Sequence, residues 1–119
     1  MRLYVAKCLW DNGFRSVSFE KSVPNGYENM YIDIYEESLV LFVECERYPE
    51  RKSVIERLKG LRDAYPTARF VLAVQDRMGW RAPGLSQAAD EVWVVCRDGR
   101  VLTPAEWAEE RKTSKKSLK

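Results

Sequence analysis

The chain has 119 residues, of which 45% are hydrophobic and 12% aromatic, so it is large and apolar enough to form one globular domain with a buried core. The formal net charge is +2, histidine is absent, and the three cysteines, Cys8, Cys45 and Cys96, lie far apart. This composition excludes a structural zinc site and a Ser–His or Cys–His catalytic pair, and it favours reduced cysteines packed as small hydrophobic residues.

The start of the chain and its hydropathy predict an intracellular, cytoplasmic protein. No run of about eighteen apolar residues is present, so we expect no membrane-spanning segment and no membrane partner. Residues Met1 to Lys7 lack the apolar core and cleavage site of a signal peptide.

The N-terminal third predicts a helix followed by a strand. Apolar residues at helical spacing predict a helix over Arg2–Asp11, which Asn12 and Gly13 terminate. Alternating polar and apolar residues then predict a half-exposed strand at 14–23.

A tight hairpin is predicted next, with strands at 30–36 and 39–46. A two-residue turn between them would pair Glu36 with Leu39 and Asp33 with Phe42. The second strand is apolar on both faces, which is typical of a central strand in a sheet.

Three carboxylates interrupt this apolar hairpin: Asp33 in the first strand, and Glu44 and Glu46 at the end of the second. Because side chains alternate along a strand, all three are predicted to share one face, with Asp33 diagonal to Glu44 at roughly 7–8 Å. Burying a carboxylate is unfavourable unless it is paired or binds a metal. The cluster therefore predicts an oxygen-ligand site for Mg²⁺ or Mn²⁺, with a purely structural acidic cluster as the alternative.

The second half of the chain predicts alternating helices and strands. A strand–helix–strand unit of this length implies that its two strands run parallel. A Thr103-Pro104 start with Glu106 forms a capping box. The predicted elements are a helix at 50–64, a strand at Arg69–Gln75, a loop at 76–83, a short helix at 84–89, a strand at 91–96 suited to a sheet edge, and a helix from 103 to about 112.

The resulting order, α-β-β-β-α-β-α-β-α, predicts an α/β fold with a mixed sheet flanked by helices on both sides and a C-terminal helix. Residues 1–110 are expected to form the single domain, followed by a basic, flexible tail at 111–119. The tail is interpreted either as a phosphate-binding arm or as a solubilising terminus.

This order and its acidic positions resemble the PD-(D/E)xK nuclease superfamily, which includes restriction endonucleases and archaeal Holliday-junction resolvases. Ile32-Asp33 corresponds to the "PD", and Glu44-Cys45-Glu46 to the "(D/E)xK", within a restriction-endonuclease-like αβββαβ core over roughly residues 1–96. The resemblance implies that Asp33, Glu44 and the main-chain carbonyl of Cys45 bind the metal, and that Asp33, Glu44 and Glu46 are catalytic.

Two positions depart from the superfamily pattern. Ile32 replaces the proline, and Glu46 replaces the lysine that helps to position the attacking water and to stabilise charge. Glu46 is then interpreted as a general base or a second metal ligand. The alternatives are that a neighbouring cation such as Lys52 replaces the missing lysine, or that the site is inactive.

Basic and aromatic residues near the predicted acidic cluster suggest contacts to a nucleic acid: Arg47, Lys52, Arg77, Trp80 and Arg81. A structural role for Trp80 with solvated arginines is the alternative. The sequence thus predicts a metal-dependent endonuclease that acts on DNA in preference to RNA. The competing hypotheses are a catalytically inactive nucleic-acid-binding or protein-assembly module, and a protein-interaction subunit, with homodimerisation left open.

Overall fold

The computed structural model describes residues 1–25, 28–85 and 87–117, which contain three α-helices, a 3₁₀-helical segment and six strands. The helices are α1 (Arg2–Asp11), α2 (Lys52–Ala64) and α3 (Pro104–Ser117), and the 3₁₀ segment spans Asp76–Leu85. The strands are β1 (Val17–Asn25), β2 (Glu28–Glu36), β3 (Leu41–Glu46), β4 (Arg69–Gln75), β5 (Glu91–Val95) and β6 (Val101–Leu102).

The six strands form one mixed sheet in which spatial order follows sequence order, β1-β2-β3-β4-β5-β6. Strands β3, β4 and β5 are parallel to one another, and the other neighbours are antiparallel. The predicted mixed sheet and the central position of β3 are confirmed. The prediction that the strand at 91–96 lies at a sheet edge is wrong, because β6 pairs with β5 along Val94 and Val95.

Helices cover both faces of the sheet, as predicted, because the strands are apolar on both sides. On one face α1 contributes Val5 and Leu9 to a core with Ile34, Val43 and Val71. On the other face α2 inserts Leu58 and Leu61 among strand residues that include Phe42, Phe70, Leu72 and Val74, and Trp107 of α3 packs against the same side. A sheet covered on both faces can bury a central strand such as β3 completely.

The hairpin β2–β3 forms with a longer turn than predicted. Glu36 pairs with Leu41 and Ile34 with Val43, so four residues, 37–40, connect the strands, and the predicted pairing of Asp33 with Phe42 is wrong. The carboxylate of Glu36 accepts hydrogen bonds from the Ser38 hydroxyl at 2.6 Å and from the Leu39 N–H at 2.9 Å, which holds the turn open. The error is two residues, an even number, so the pairing error alone does not exchange the two faces of the strands.

The stretch predicted as a loop and a short helix is instead the 3₁₀ segment Asp76–Leu85. Gly79, Ala82 and Leu85 are buried and lie three residues apart, which matches the three-residue turn of a 3₁₀-helix. Gly79 is needed here because a Cβ atom would lie within 3 Å of the Trp107 ring.

Helix α3 begins with the predicted capping box. The Thr103 N–H donates to Glu106 at 2.8 Å, and the Glu106 N–H donates back to the Thr103 hydroxyl at 3.2 Å. The predicted domain boundary at residue 110 falls inside this helix, and Arg111 forms an ion pair with Asp76 at 2.7 Å. Leu118 and Lys119 of the predicted tail lie outside the described residues.

All three cysteines are free thiols, as predicted, with Cys96 buried and Cys8 and Cys45 half-buried. Among the helices of the described residues, none combines the length and the apolar character that crossing a membrane requires.

Candidate metal centre

The structure brings Asp33, Glu44 and Glu46 together near the end of β3, with one oxygen of each carboxylate within 4.8 Å of the others. Glu44 is 0% exposed, and Asp33 and Glu46 are half-buried. The predicted convergence of these three side chains is therefore confirmed as geometry.

Their side chains interrupt the ladder between β2 and β3. The main-chain pairing of the two strands ends at Ile34 and Val43, and the next pair in this register would be Asp33 with Glu44. There, the Asp33 N–H donates to the Glu44 carboxylate at 3.4 Å and the Cys45 N–H donates to the Asp33 carboxylate at 2.8 Å. Side-chain oxygens thus replace main-chain acceptors, and the strands separate at the carboxylates.

Strand β2 also rotates at this point. Ile32 and Ile34 are both fully buried, but Ile32 packs with Phe42 on the α2 face and Ile34 packs with Val43 on the α1 face. Strict alternation would place both isoleucines on one face. The irregularity is centred on Asp33, and it lets contacts from both helical layers reach this carboxylate cluster.

Two arginines neutralise the cluster from opposite sides of the sheet. Arg57 of α2 donates a short hydrogen bond to Glu44, lies 3.7 Å from a Glu46 oxygen, and donates to the Tyr31 carbonyl at 2.7 Å. Arg2 of α1 contacts Asp33 at 2.6 Å and Glu20 at 2.9 Å. The three acids therefore face two fixed cations, which leaves a surplus of negative charge when all are ionised.

Burial and the charge of Asp33 raise the pKa of both glutamates in this cluster. Burial, and next the charge of Asp33, raise the pKa of Glu44 to about 7, although Arg57 acts in the opposite direction. The same two causes raise the pKa of Glu46, again against Arg57. Both side chains therefore hold a proton more tightly than an ordinary glutamate does, and Glu44 titrates in the neutral range, as carboxylates at functional sites often do.

The thiol of Cys45 is unreactive at neutral pH. Burial, followed by repulsion from Asp33 and Glu44, raises its pKa to about 12. A thiolate ligand at this position is therefore disfavoured, and any metal contact from Cys45 would use its main chain.

The carboxylates fit a hard divalent cation. Mg²⁺ binds oxygen at about 2.0–2.1 Å, so two oxygens on opposite sides of the ion lie about 4.2 Å apart, and slightly larger ions such as Ca²⁺ accept wider spacings. The carboxylate oxygens of this cluster lie within 4.8 Å of one another, so an inward adjustment of the side chains would bring them to the spacing of ligands on one ion. The all-oxygen donor set favours Mg²⁺, Mn²⁺ or Ca²⁺ over zinc or copper.

Two of the predicted basic residues, Arg47 and Arg77, lie where the parallel strands end. Arg77 follows β4, and it donates to the carbonyl of Arg47, which follows β3, at 3.0 Å. Its guanidinium also lies 5.3 Å from the ring centre of Tyr48, which Arg51 approaches to 4.3 Å. Arg47 and Arg77 therefore lie at one edge of the sheet, as predicted, and Tyr48 is the additional residue that joins them.

Trp80 and Arg81 form a separate pair in the 3₁₀ segment. The guanidinium of Arg81 lies 4.3 Å from the Trp80 ring centre, and Trp80 is 62% exposed. The alternative in which Trp80 serves to cover the sheet is not supported by this exposure.

Lys52 does not replace the missing lysine of the motif. Its side chain is 90% exposed, and its ammonium lies 3.8 Å from Glu56 of the same helix. The cation that reaches Glu44 and Glu46 is Arg57.

Arg57 and Arg2 were not predicted from the sequence. The sequence does indicate that Arg57 has a partner. It lies three residues after Val54 and four before Leu61, on the apolar stripe of α2, where an unpaired charge is not expected. For Arg2 no local pattern was available, because its contact with Asp33 depends on how α1 crosses the sheet.

Comparison of the chain with protein-family models, curated proteins and solved structures finds no match. Membership of the PD-(D/E)xK superfamily and the restriction-endonuclease-like core therefore stay predictions. The established description is a mixed α/β fold, a six-stranded sheet flanked by helices, with an acidic cluster suited to a metal ion.

Proposed function

We propose that this protein is a metal-dependent nuclease that hydrolyses phosphodiester bonds, in DNA in preference to RNA. The observation that carries the proposal is the convergence of Asp33, Glu44 and Glu46 within 4.8 Å, where β2 separates from β3. Asp33 and Glu44 would hold Mg²⁺ or Mn²⁺ together with the main-chain carbonyl of Cys45, as the superfamily resemblance implies. A divalent cation bound there would polarise a phosphoryl oxygen.

The residues of the chain have separable roles in this proposal. Glu46, whose pKa is raised by burial and by Asp33, would accept the proton of the attacking water. Arg57 would stabilise the negative charge that develops on the phosphoryl group, because it already lies beside Glu44 and Glu46. It would thereby supply the positive charge that the motif lysine provides elsewhere in the superfamily.

The test uses a matched pair of glutamates in one hairpin. Glu44→Gln and Asp33→Asn are expected to lower Mn²⁺ affinity, measured by calorimetry, by at least about 100-fold, and to abolish Mn²⁺- or Mg²⁺-dependent cleavage of plasmid, junction and single-stranded DNA. Glu36→Gln changes an equally buried glutamate at the far end of β2, and should leave both properties intact. Absence of Mn²⁺ binding and of cleavage in the wild-type protein would overturn the proposal.

A second candidate function is a non-catalytic nucleic-acid-binding or assembly module. It is favoured by the two arginines, since Arg2 and Arg57 already neutralise Asp33 and Glu44 in the way that a metal would. In this case DNA binding would survive Asp33→Asn, and cleavage would be absent under all metal conditions.

A further inference from the structure

The arginines of this chain divide into two groups by location. Those that contact a carboxylate oxygen within 4.0 Å are Arg2, Arg57, Arg62, Arg69, Arg100 and Arg111. Within the described part of the chain, no carboxylate lies this close to Arg15, Arg47, Arg51, Arg77, Arg81 or Arg97. Apart from Arg15, which stacks on Trp10 at 4.0 Å, the second group follows the ends of β3, β4 and β5.

We define the carboxyl edge as the edge of the sheet where these three parallel strands end. Arg47 and Arg51 follow β3, Arg77 and Arg81 follow β4, and Arg97 follows β5. Neighbouring strands lie about 4.8 Å apart, so the positions after β3 and β5 are separated by roughly 10 Å. Several arginines that form no ion pair within 4.0 Å therefore lie within about a Debye length of one another.

Two acids near this edge have their own hydrogen-bond partners. Asp76 accepts hydrogen bonds from the Trp107 indole at 2.6 Å and from Arg111 at 2.7 Å. Asp98 is paired with Arg100 at 2.8 Å. A further negative charge at the edge is that of Glu46, at the end of β3. Burial acts to raise the pKa of Asp76, but its hydrogen bonds, with a smaller contribution from the charge of Arg97, lower it.

A cleft of about 300 Å³ lies at this edge, and Arg47, Arg77 and Arg97 all line it. Its remaining wall includes Tyr4, Val95 and Asp76, whose carboxylate is hydrogen-bonded to Trp107 and Arg111. Clefts at the carboxyl ends of parallel strands are the usual ligand sites of open α/β sheets. Here the lining favours an anion with an apolar or aromatic part.

We propose that the carboxyl edge binds the sugar-phosphate backbone of a single nucleic-acid strand, with phosphates on Arg47, Arg77 and Arg97 and a base on the exposed ring of Tyr48, which lies among the arginines of this edge. Guanidinium groups bind phosphates in preferred geometry, and aromatic rings interleaved with arginines are typical of surfaces that hold unstacked bases. This inference deepens the proposed function, since Glu46 ends the same β3 strand that Arg47 follows. Cleavage of the bound strand rests on the proposed nuclease function, whereas binding of the strand does not.

The experiment measures binding without metal, so that failure of catalysis and failure of binding are distinguished. Anisotropy of a fluorescein-labelled single-stranded DNA is followed in EDTA over a series of salt concentrations. The affinity of the variant Arg47→Gln/Arg77→Gln/Arg97→Gln for this DNA is expected to fall at least about tenfold. The slope of log K against log salt concentration is expected to become shallower by about two, because three phosphate contacts are lost.

The matched control removes the same number of positive charges, but from arginines that form ion pairs with carboxylates. In Arg62→Gln/Arg69→Gln/Arg100→Gln all three side chains lose carboxylate contacts, and DNA affinity is expected to stay within about threefold of wild type. Circular dichroism confirms that each variant is folded. Equal losses of affinity in the two triple variants would overturn the proposal. It would also be overturned if polyglutamate, at the same concentration of negative charge, competed with the labelled DNA as strongly as unlabelled DNA does.

Discussion

The two ends of the β2–β3 hairpin each bury a glutamate completely, and the two carboxylates behave in opposite ways. At the turn, Glu36 is 0% exposed; burial acts to raise its pKa, but hydrogen bonds from Ser38 and Leu39 outweigh burial, and the pKa is lowered. At the open end, Glu44 is also 0% exposed, and burial together with Asp33 raises its pKa to about 7. Two glutamates that are both shielded from solvent therefore have opposite pKa shifts, because donors surround Glu36 whereas Glu44 lies deeper in the protein and beside another acid.

The difference separates a structural acid from a candidate functional one. Glu36 accepts N–H and O–H groups that the turn must satisfy in any case, so its charge stabilises the fold. Glu44 lies against another acid and depends on a single arginine, so its charge is destabilising in the absence of a further cation. Sites that store such unfavourable charge are typical of ligand and catalytic centres.

The largest expected effect is a dependence of stability on pH that belongs to Glu44. In EDTA, the free energy of unfolding should fall by about 3 kcal/mol as the pH rises from about 4.5, the ordinary pKa of glutamate, to about 7, the pKa of Glu44 in the folded protein. Over this range the folded protein retains a proton on Glu44 that the unfolded chain releases, so rising pH favours unfolding. Urea denaturation followed by tryptophan fluorescence measures the decline.

Substitution of each glutamate tests which of them is responsible. Glu44→Gln should remove most of the decline between these pH values, whereas Glu36→Gln should retain it. The contribution of Glu36 to the pH dependence of stability has the opposite sign. Because its pKa is lowered in the folded protein, it stabilises the fold above the ordinary pKa of glutamate, and this stabilisation is lost only as the pH falls below that value. Identical pH profiles for the two variants would contradict the comparison.

A smaller effect is expected when Glu44 loses its cation. Arg57→Gln should destabilise the protein by about 2 kcal/mol at pH 8, less than for a fully buried pair because the Arg57 side chain is 34% exposed. At pH 5 the loss should be about half as large, because a protonated Glu44 needs no counterion.

Chemical denaturation at the two pH values measures the effect of Arg57→Gln, with Arg62→Gln as its control. Arg62 belongs to the same helix and pairs with the exposed Asp90, so its loss should be below about 1 kcal/mol at both pH values. A pH-independent loss in Arg57→Gln would show that the arginine contributes packing alone.

The smallest expected effect concerns backbone strain at the Glu36 end. Val40 has a φ of +48°, a conformation that a β-branched residue rarely adopts. Val40→Gly should therefore raise the free energy of unfolding by about 1 kcal/mol, measured as an increase in the thermal midpoint. Leu39→Gly, at an adjacent exposed residue without a positive φ, should lower it.

The convergence of the three carboxylates in this hairpin was predictable from the sequence, and its register and twist were not. Alternation places Glu44 and Glu46 on one face of β3, and an antiparallel partner strand brings Asp33 close to them. The rotation of β2 at Asp33, which places Ile32 and Ile34 on opposite faces, does not follow from alternation. The register depends on the turn, where the Glu36 side chain binds Ser38 and Leu39 and extends the connection to four residues. Turn rules based on residue type do not include such a contact.

Other parts of the fold and the site escaped prediction for similar reasons. The 3₁₀ segment contains Gly79 and Pro83, which usually indicate a loop, and its helical course is stabilised by packing against Trp107. Strand β6 has two residues, too few to show a period. Arg2 reaches Asp33 only because α1 crosses the sheet at that place, which is a tertiary property.

The four-residue turn also bears on deletions in this hairpin. Because Glu36 pairs with Leu41, residues 37–40 lie outside the ladder, and a deletion among them shortens the connection without changing which residues pair. A deletion that includes Ser38 would remove a donor to the Glu36 carboxylate. Length changes in this turn would therefore act on the buried acid at the turn and leave Asp33 and Glu44 beside each other at the other end of the hairpin.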